Sequence, residues 1–419
     1  MPSPSLSDVL AYSPSASPPP HPPAALSAAA FELLPSAPAP ELPALLTSVK
    51  MLLRLPPPSC ADFRTPAGVD LLASFSSPSH PPPTQAAALA ALTNCLVSAK
   101  DASTLLKLHF IQSGGLESLL LLLQSPAPPS LLLGIVKLLH LFCGTVPAVA
   151  PVLVEGHGLL HHLVGTLSFC IGSPKLSDPP VSLLAAEILQ ALFSVAHAHP
   201  RYLTDRSDQS RFSQLTQLGL LLVRLVHVPP STPALHSLHL HAINLLMSMP
   251  PAFSGFLVLN GCVPPLASHL FLSATAAVVE KSLGGAEAVR LVPVLTVCKA
   301  VCDAHPAGRG QLKELVFPGA RDEELRAAGE DPSRSVDRNR IAPLDAPELS
   351  FRWVLIRLMM SVDTAVKRSA SEFLWALLGG DANEFVARAG FGSAVHFLGI
   401  KGLVDVPKES TTRAGAGRK

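Results

Sequence analysis

The residues of this chain that could do chemistry predict binding, not a covalent reaction. Cys298, Cys302 and His305 are spaced four and three positions apart, so they could face one side of a helix and ligate zinc. A fourth ligand is missing from this group, and structural zinc sites are closed by four ligands. The sequence has no GxxxxGK[ST], GxSxG or HExxH signature, and Gly156-His157-Gly158 does not follow a predicted strand. We therefore predict no metal, no cofactor and no catalytic residue.

Lys50 and Arg54, in the segment LTSVKMLLRLP, form the first candidate binding group. The apolar residues around them recur at helical spacing and predict a helix over Glu41–Leu53. Residues four apart on a helix project from one face, so both cations can reach the same anion. A solvated surface pair explains the same two residues equally well.

Two asparagines interrupt otherwise apolar helices: Asn94 in ALAALTNCLV and Asn244 in HAINLLMSM. Asparagine is a poor helix former because its amide competes for backbone groups. In mid-helix it indicates either a core hydrogen bond or a contact with the backbone of a bound peptide, and two of them in separate repeats favour a peptide groove. His239 and His241 are two positions apart, so they face different sides of one helix, and surface or groove positions are the preferred interpretation.

The composition indicates that Leu/Ala-rich helices position these residues, because 48% of the 419 residues are hydrophobic and 5% are aromatic. The net charge of +1 gives no reason to expect nucleic acid or an acidic membrane as the main partner. Every long apolar run is interrupted before 18 residues, which predicts buried helices and no transmembrane segment. Most of the seven cysteines sit in apolar helical runs, which predicts buried free thiols in a reducing compartment.

A pattern of an apolar pair, a polar break, a glycine and an apolar helix occurs four times. Its glycines are Gly114, Gly156, Gly261 and Gly390, at intervals of 42, 105 and 129 residues. The first and last intervals fit multiples of an armadillo/HEAT period of about 40–47 residues, and the middle one fits two repeats plus an insertion. Stacked repeats bury the faces that two helices cannot bury alone. The sequence therefore predicts an all-α, right-handed superhelix of armadillo/HEAT-like repeats, with chance glycine breaks as the alternative.

Shifts in composition divide the chain into five segments. Residues 1–40 contain eleven prolines, which predicts a disordered arm. Armadillo-like repeats are predicted over 41–319 and again over 351–404. Between them, 320–350 has thirteen charged residues out of thirty-one and predicts a mobile insertion, and 405–419 is predicted to be a disordered tail.

The stretch Arg352–Leu403 shows the repeat pattern of helices separated by short or glycine-containing breaks most clearly. Asp363 can cap a helix by accepting the free N–H groups of its first turn. Gly379-Gly380 can end that helix, because glycine reaches the left-handed conformation without steric cost. The runs IRLMMSVDTAVKRSASEFLWALL and FVARAGFGSAVHFLGIKGL resemble the corresponding block of the synembryn family. The resemblance implies a folding chaperone and nucleotide exchange factor for the α-subunits of heterotrimeric G proteins.

The resemblance also implies which residues contact that partner. Lys50 and Arg54 match a basic pair that contacts the tail of the α-subunit, and Asn94 matches a groove asparagine. Five residues in two further family blocks are implied more loosely: His239, His241, Asn244, Lys367 and Arg368. The implied mechanism is conformational, since a groove that captures the C-terminal helix of the α-subunit needs only to bind the nucleotide-free form more tightly.

The chain also departs from the family pattern. It begins proline-rich, carries the 320–350 insertion, and ends at VDVPKESTTRAGAGRK without the acidic, phosphorylatable segment and further helix that the resemblance implies. We therefore expect binding and chaperoning to exceed nucleotide exchange. No signal peptide pattern opens the chain, so we expect a cytoplasmic monomer that reaches the cell cortex through its α-subunit partner. A generic armadillo scaffold that binds an unrelated peptide or helix is the alternative.

Overall fold

The computed structural model describes residues 4–12, 21–56, 59–98, 103–146, 148–200, 209–279, 286–318 and 349–403. Every regular element within these ranges is helical, and they contain 21 α-helices. The chain divides into two compact units, Met1–Ser248 and Met249–Lys419. The predicted all-α class is confirmed.

The first unit contains thirteen helices. In chain order they are α1 (Leu6–Leu10), α2 (Pro23–Leu33), α3 (Leu42–Leu52), α4 (Pro66–Ser74), α5 (Pro82–Ser98), α6 (Ser103–Gln112), α7 (Gly115–Gln124), α8 (Pro129–Thr145), α9 (Val149–Pro151), α10 (Leu159–Gly172), α11 (Pro179–Ala198), α12 (Gln209–His227) and α13 (Pro233–Met247). A 3₁₀ turn follows α2 at Leu34–Ser36, and a π-helical turn follows α9 at Val152–Gly156.

These helices form two layers of a repeat stack. Helices α3, α5, α8, α11 and α13 pack side by side in succession and form the first layer, while α4, α6, α7, α10 and α12 form the second layer behind them. Leucines such as Leu89, Leu139, Leu189 and Leu238 are completely buried between neighbouring helices. Each repeat therefore obtains its core from the next, as the predicted stacking requires.

The expectation of a disordered arm over residues 1–40 is wrong for the part that the structure describes. Helix α2 begins at Pro23, where a missing backbone N–H costs nothing because no residue precedes it in the helix to accept the bond. Its Leu26 is buried, and the ring of Phe31 meets that of Phe63 edge-on with centroids 5.3 Å apart. Prolines here start a helix that covers α3, so proline content alone misled the prediction.

Two other predicted segments lie outside the described residues. These are the charged insertion, apart from Leu349 and Ser350, and the tail at 405–419. Ser350 caps the helix that follows it by accepting the N–H of Trp353. Residues 1–3 and 13–20 of the predicted arm also lie outside the described ranges.

The glycine pattern is confirmed at three of its four positions. Gly114, Gly261 and Gly390 have φ angles of +81°, +68° and +83°, which side chains rarely adopt. In the second segment Gly158 takes this role, with φ +63°, instead of Gly156. The reason is the π-helical turn at Val152–Gly156, which carries helical backbone past the predicted break.

The second unit contains eight helices. They are α14 (Phe253–Leu259), α15 (Val263–Val279), α16 (Ala286–Ala304), α17 (Pro306–Val316), α18 (Phe351–Met359), α19 (Thr364–Leu377), α20 (Ala382–Ala389) and α21 (Phe391–Ile400). Asp363 caps α19 as predicted, because its Oδ1 accepts the N–H groups of Ala365 and Val366 at 2.9 and 3.0 Å. Gly379 and Gly380, at φ +70° and +78°, end the same helix.

Helix α11 is long and apolar enough to cross a membrane by length and composition. Within the unit, however, 61% of its apolar window is buried, and the helix packs against α8, α10 and α13. The pair α14 and α15 passes the same test only if a 99° bend is ignored. Core helices of stacked repeats pass this test as well, so it is weak evidence for a span.

Candidate partner-binding surface

Lys50 and Arg54 lie at the end of α3 and form a group with Lys137. Lys50 occupies the last helical turn, and Arg54 follows in a turn closed by its N–H bond to the Met51 carbonyl at 3.2 Å. Burial lowers the pKa of Lys50, and the positive charges of Arg54 and then Lys137 lower this pKa further. The described part of the chain forms no ion pair with any of the three. We call these three residues the basic cluster; it is a site of uncompensated positive charge.

Asn94 holds the last turn of α3 in place. Its Nδ2 donates to the backbone carbonyl of Lys50 at 2.9 Å, which links α5 to α3. Of the two uses that the sequence left open, the structure therefore shows the core hydrogen bond. The Asn94 carbonyl oxygen accepts no hydrogen bond from another described residue, and the side chain is half-buried, so it can still meet a peptide N–H.

Arg64 supports the same region from the other side. Its Nη2 donates to the carbonyls of Leu55 at 2.7 Å and Leu53 at 3.4 Å, and its Nε donates to Ser98 Oγ at 3.3 Å. Leu53 and Leu55 flank Arg54, so the guanidinium fixes the turn that presents it. A cation at the last carbonyls of a helix also interacts favourably with the helix dipole.

Polar side chains continue across the first layer from the basic cluster. His140 Nδ1 on α8 lies 2.6 Å from Glu187 Oε1 on α11, and Gln190 Nε2 on α11 lies 3.4 Å from His241 Nε2 on α13. Lys137 and His140 are one turn apart on α8, so the cluster and these residues share a face. We call the following residues the polar row: Asn94, His140, Glu187, Gln190, His241 and Asn244.

The sequence interpretation missed three members of the polar row, although a signal for two of them was present. Lys50, Asn94, His140, Glu187 and His241 are separated by 44, 46, 47 and 54 residues. The first three intervals fit the repeat period of about 40–47 residues, and the fourth is longer, so the residues from Lys50 to Glu187 take similar places on successive helices of the first layer. Gln190 follows Glu187 by one helical turn.

The comparisons with known proteins match this part of the chain. The family described as guanine nucleotide exchange factor synembryn matches residues 45–418, which include the whole basic cluster and polar row. The chain belongs to the synembryn family. The resemblance seen in the sequence is thereby confirmed.

Curated relatives carry the name Chaperone Ric-8A. The chain is 28% identical to that of Mus musculus over 265 residues, which are 60% of this chain and 46% of the relative. It is 29% identical to that of Bos taurus over 242 residues, or 55% and 41% of the two chains. The chain thus spans less than half the length of these synembryn relatives. An engineered protein of known structure aligns over 89% of this chain and 94% of its own, with a TM-score of 0.46 and 15% identity, too low to establish a shared fold.

His239 does not lie on this surface of the synembryn chain. It is 5% exposed, and its ring packs against the backbone of Val228 and Leu225 at the end of α12. His241 is half-buried on the other side of α13, so the prediction of two different faces is confirmed. The expected partner contact of His239 needs correction, because a buried ring held by backbone groups cannot reach a partner.

The remaining predicted residues fall into two groups. Asn244 lies one turn beyond His241, is half-buried, and its amide makes no hydrogen bond within the described ranges. Lys367 and Arg368 lie on α19 in the second unit and form a separate group. Arg368 pairs with Glu372 at 3.0 Å and its side chain is 79% exposed, while Lys367 is half-buried. Their partner role stays a prediction.

The cysteines show no reactive or metal-binding character. All seven are free and buried. Burial raises the pKa of the Cys302 thiol to about 12, so it stays protonated at neutral pH. Among the residues that the structure describes, no group of three or more His, Cys, Asp or Glu side chains could hold a metal ion. The absence of metal and cofactor remains a prediction.

We expect the protein to lose stability as the pH falls from 7.5 to 5.5. Burial lowers the pKa values of His239 and His241 below the ordinary value of 6.5. The unfolded chain then binds more protons than the folded chain in this range, so the free energy of unfolding decreases as the pH is lowered. The decrease is about 1.4 kcal/mol per histidine for each unit of difference between the folded and unfolded pKa values. Urea titrations at several pH values measure the free energy of unfolding.

The matched variants for this experiment are His239→Gln and His396→Gln. His396 is exposed on α21, so its replacement should have little effect on the free energy of unfolding. His239→Gln should flatten the slope of stability against pH. An equal slope in both variants would show that the buried ring does not control the acid response.

Proposed function

We propose that this synembryn-family protein binds the α-subunit of a heterotrimeric G protein through the basic cluster and polar row, assists its folding and promotes loss of its nucleotide. The observation that carries the proposal is the uncompensated basic cluster at one end of the polar row. The family to which the chain belongs is described as guanine nucleotide exchange factor synembryn. The Ric-8A relatives support the chaperone part by their name.

The side chains suit an extended or helical C-terminal segment of the partner. Lys50 and Arg54 can donate charge-assisted hydrogen bonds to a terminal carboxylate or acidic side chain. The amides of Asn94 and Asn244 can each meet a peptide backbone. The unit is built from packed helices whose buried leucines fix the spacing of these groups, so binding requires little reorganisation of the protein.

Exchange in this proposal involves no covalent step. If the protein binds the nucleotide-free α-subunit more tightly than the GDP-bound form, then by linkage it must weaken GDP binding by the same factor. The same preference stabilises an α-subunit before nucleotide is loaded, which is a chaperone effect. One binding preference thus supports both activities.

We place this protein, as a monomer, in the cytoplasm, a location that its seven free thiols support. When bound to its partner it would lie at the cell cortex.

Affinity for a purified α-subunit should be at least about tenfold higher without nucleotide than with saturating GDP. Pull-down of the α-subunit by the full chain, with and without GDP, measures the difference directly. GDP release and recovery of folded α-subunit from cell-free synthesis then report exchange and chaperoning separately. Equal binding in both nucleotide states would leave a scaffold that holds the α-subunit without acting on its nucleotide, and no binding would refute the partner.

A further inference from the structure

Two histidines of the polar row lie beside its single carboxylate. His140 Nδ1 on α8 is 2.6 Å from Glu187 Oε1 on α11, and the negative charge of Glu187 also acts on the ring of His241 on α13. The side chains of His140 and Glu187 are 29% and 14% exposed, and His241 is half-buried. We call these three residues the His–Glu group. Each remains within reach of solvent, so the charge of the group can follow the pH.

Both rings can take up one further proton. A carboxylate only accepts hydrogen bonds, so His140 Nδ1 donates to Glu187 and the Nε2 of the neutral ring is unprotonated. Gln190 Nε2 lies 3.4 Å from His241 Nε2, and an amide nitrogen only donates, so this ring nitrogen is an acceptor as well. The His–Glu group therefore carries a single negative charge when both rings are neutral and a single positive charge when both are protonated.

The charged neighbour of the His–Glu group on its own helices is Lys137. It lies one turn before His140, is the one charged residue of α8, and belongs to the basic cluster. Helix α5 contains no Asp, Glu, Lys, Arg or His, and in α11 these residue types occur only at Glu187 and, about 15 Å further along the helix, at His197. His239 packs on the opposite side of α13, against α12. Further charged residues and histidines of the packed helices lie in the second layer or in a terminal turn: Glu117, His161, His162, Arg224, His227 and His236.

We infer that the His–Glu group makes the binding of an acidic partner segment depend on pH, so that affinity increases as the pH falls from 7.5 to 6.0. The inference rests on the proposed function and adds a regulation of its site. Histidine changes charge between about pH 5 and 8, and protonation of the two rings replaces a repulsive charge in the polar row with an attractive one.

The same coupling acts in reverse when the partner binds. Burial lowers the pKa of His241, so its ring is neutral at pH 7.5 in the unbound protein. A bound carboxylate favours the charged ring and opposes this effect. By linkage, a partner that binds the protonated form more tightly must draw protons onto the His–Glu group. Proton uptake on binding is therefore the signature of the inference, and a purely structural role of these residues would not produce it.

The test uses the full chain and a tetramethylrhodamine-labelled peptide with the C-terminal sequence of a G-protein α-subunit. The peptide is chosen without histidine, so its own charge stays constant between pH 6.0 and 7.5. Fluorescence anisotropy at fixed ionic strength should show about three- to tenfold tighter binding at pH 6.0 than at pH 7.5. Calorimetry of the unlabelled peptide at pH 6.5, in two buffers with different ionisation enthalpies, should show net proton uptake. Circular dichroism checks the fold at each pH.

Three variants locate the effect. His140→Gln/His241→Gln should reduce the ratio of affinities at the two pH values to less than about twofold and remove most of the proton uptake. The matched control, His157→Gln/His396→Gln, replaces two exposed histidines outside the polar row and should keep the native ratio. Glu187→Gln removes the repulsive charge, so it should bind the peptide more tightly than the native chain at pH 7.5 and gain less on acidification.

The outcomes separate the inference from the proposed function. If the native chain binds the peptide equally at both pH values and takes up no protons, the inference is overturned and the proposed function stands. The same conclusion follows if both double variants lose the pH dependence equally, or if Glu187→Gln binds more weakly than the native chain at pH 7.5. If the peptide binds at neither pH, the failure lies in the proposed function, and the inference fails with it.

Discussion

Replacing both Lys50 and Arg54 with alanine should weaken binding of the α-subunit by about 100-fold or more. The cluster has no acidic partner in the described part of the chain, so a bound carboxylate supplies its first opposite charge. Each charge-assisted hydrogen bond contributes about 1.5–3 kcal/mol, and two of them correspond to at least this loss of affinity. Titration of labelled α-subunit with the native and double-mutant proteins measures the change.

The matched control is Lys175→Ala/Arg224→Ala, which removes the same two charges elsewhere in the first unit. Lys175 follows α10 and Arg224 lies on α12, both exposed and outside the basic cluster and polar row, so we expect a much smaller loss there. Salt should weaken the native protein more than Lys50→Ala/Arg54→Ala, because the variant has lost the screened attraction. Equal losses in both double variants would mean that net charge attracts the partner and that the basic cluster is not an anchor.

The repeat architecture could be predicted because its causes are local. The helix predicted over Glu41–Leu53 is observed at Leu42–Leu52, since leucine spacing and the following prolines define both ends. The glycines predicted where the helices of the repeats are interrupted. The one exception is the shift from Gly156 to Gly158, which a π-helical turn causes. Helix α2 was missed because a count of prolines does not show where they fall: a proline in a helix interior disrupts the helix, but Pro23 lies at the start of α2, where proline is tolerated.

Of the proposed binding surface, the sequence predicted the pair that shares one helix and the two asparagines inside apolar helices. Lys50 and Arg54 were found by their spacing, and the opposite faces of His239 and His241 followed from theirs. The face of α13 that is buried depends on α12, because His239 packs against the backbone at the end of α12. The residue pattern within α13 cannot show which face this is. His140 and Glu187 are 47 residues apart and meet only because α8 and α11 stack, so their contact is a property of the repeat period.

Arg64 is the residue that sequence reasoning had least chance of finding. It lies in a turn before α4, and its hydrogen-bond acceptors are 9, 11 and 34 positions away in the chain. No periodicity connects a turn arginine to the end of an earlier helix. Its contacts nevertheless determine how rigidly the turn presents Arg54, so it links the stability of the first unit to the proposed binding.

Replacing Arg64 with alanine should therefore lower the free energy of unfolding by about 3 kcal/mol. The substitution removes hydrogen bonds from a charged donor, each contributing about 1.5–3 kcal/mol, and it leaves the Leu55 carbonyl and Ser98 Oγ without this partner. Arg64→Lys should lose an intermediate amount, because one ammonium group cannot reproduce the forked geometry that serves both acceptors. Urea unfolding measures the change, and Arg224→Ala, at an exposed position of α12, should stay within about 0.5 kcal/mol of the native value.

Under conditions in which Arg64→Ala is still folded, it should also bind the α-subunit about tenfold more weakly, because Arg54 must then be ordered on binding at a cost in conformational entropy. This loss is smaller than that of Lys50→Ala/Arg54→Ala, since both cations remain. Stability and affinity should decrease together across Arg64→Lys and Arg64→Ala if the guanidinium positions the turn. Reduced stability with native affinity would show that Arg64 supports the core alone, and that the end of α3 keeps its geometry through the Asn94–Lys50 hydrogen bond.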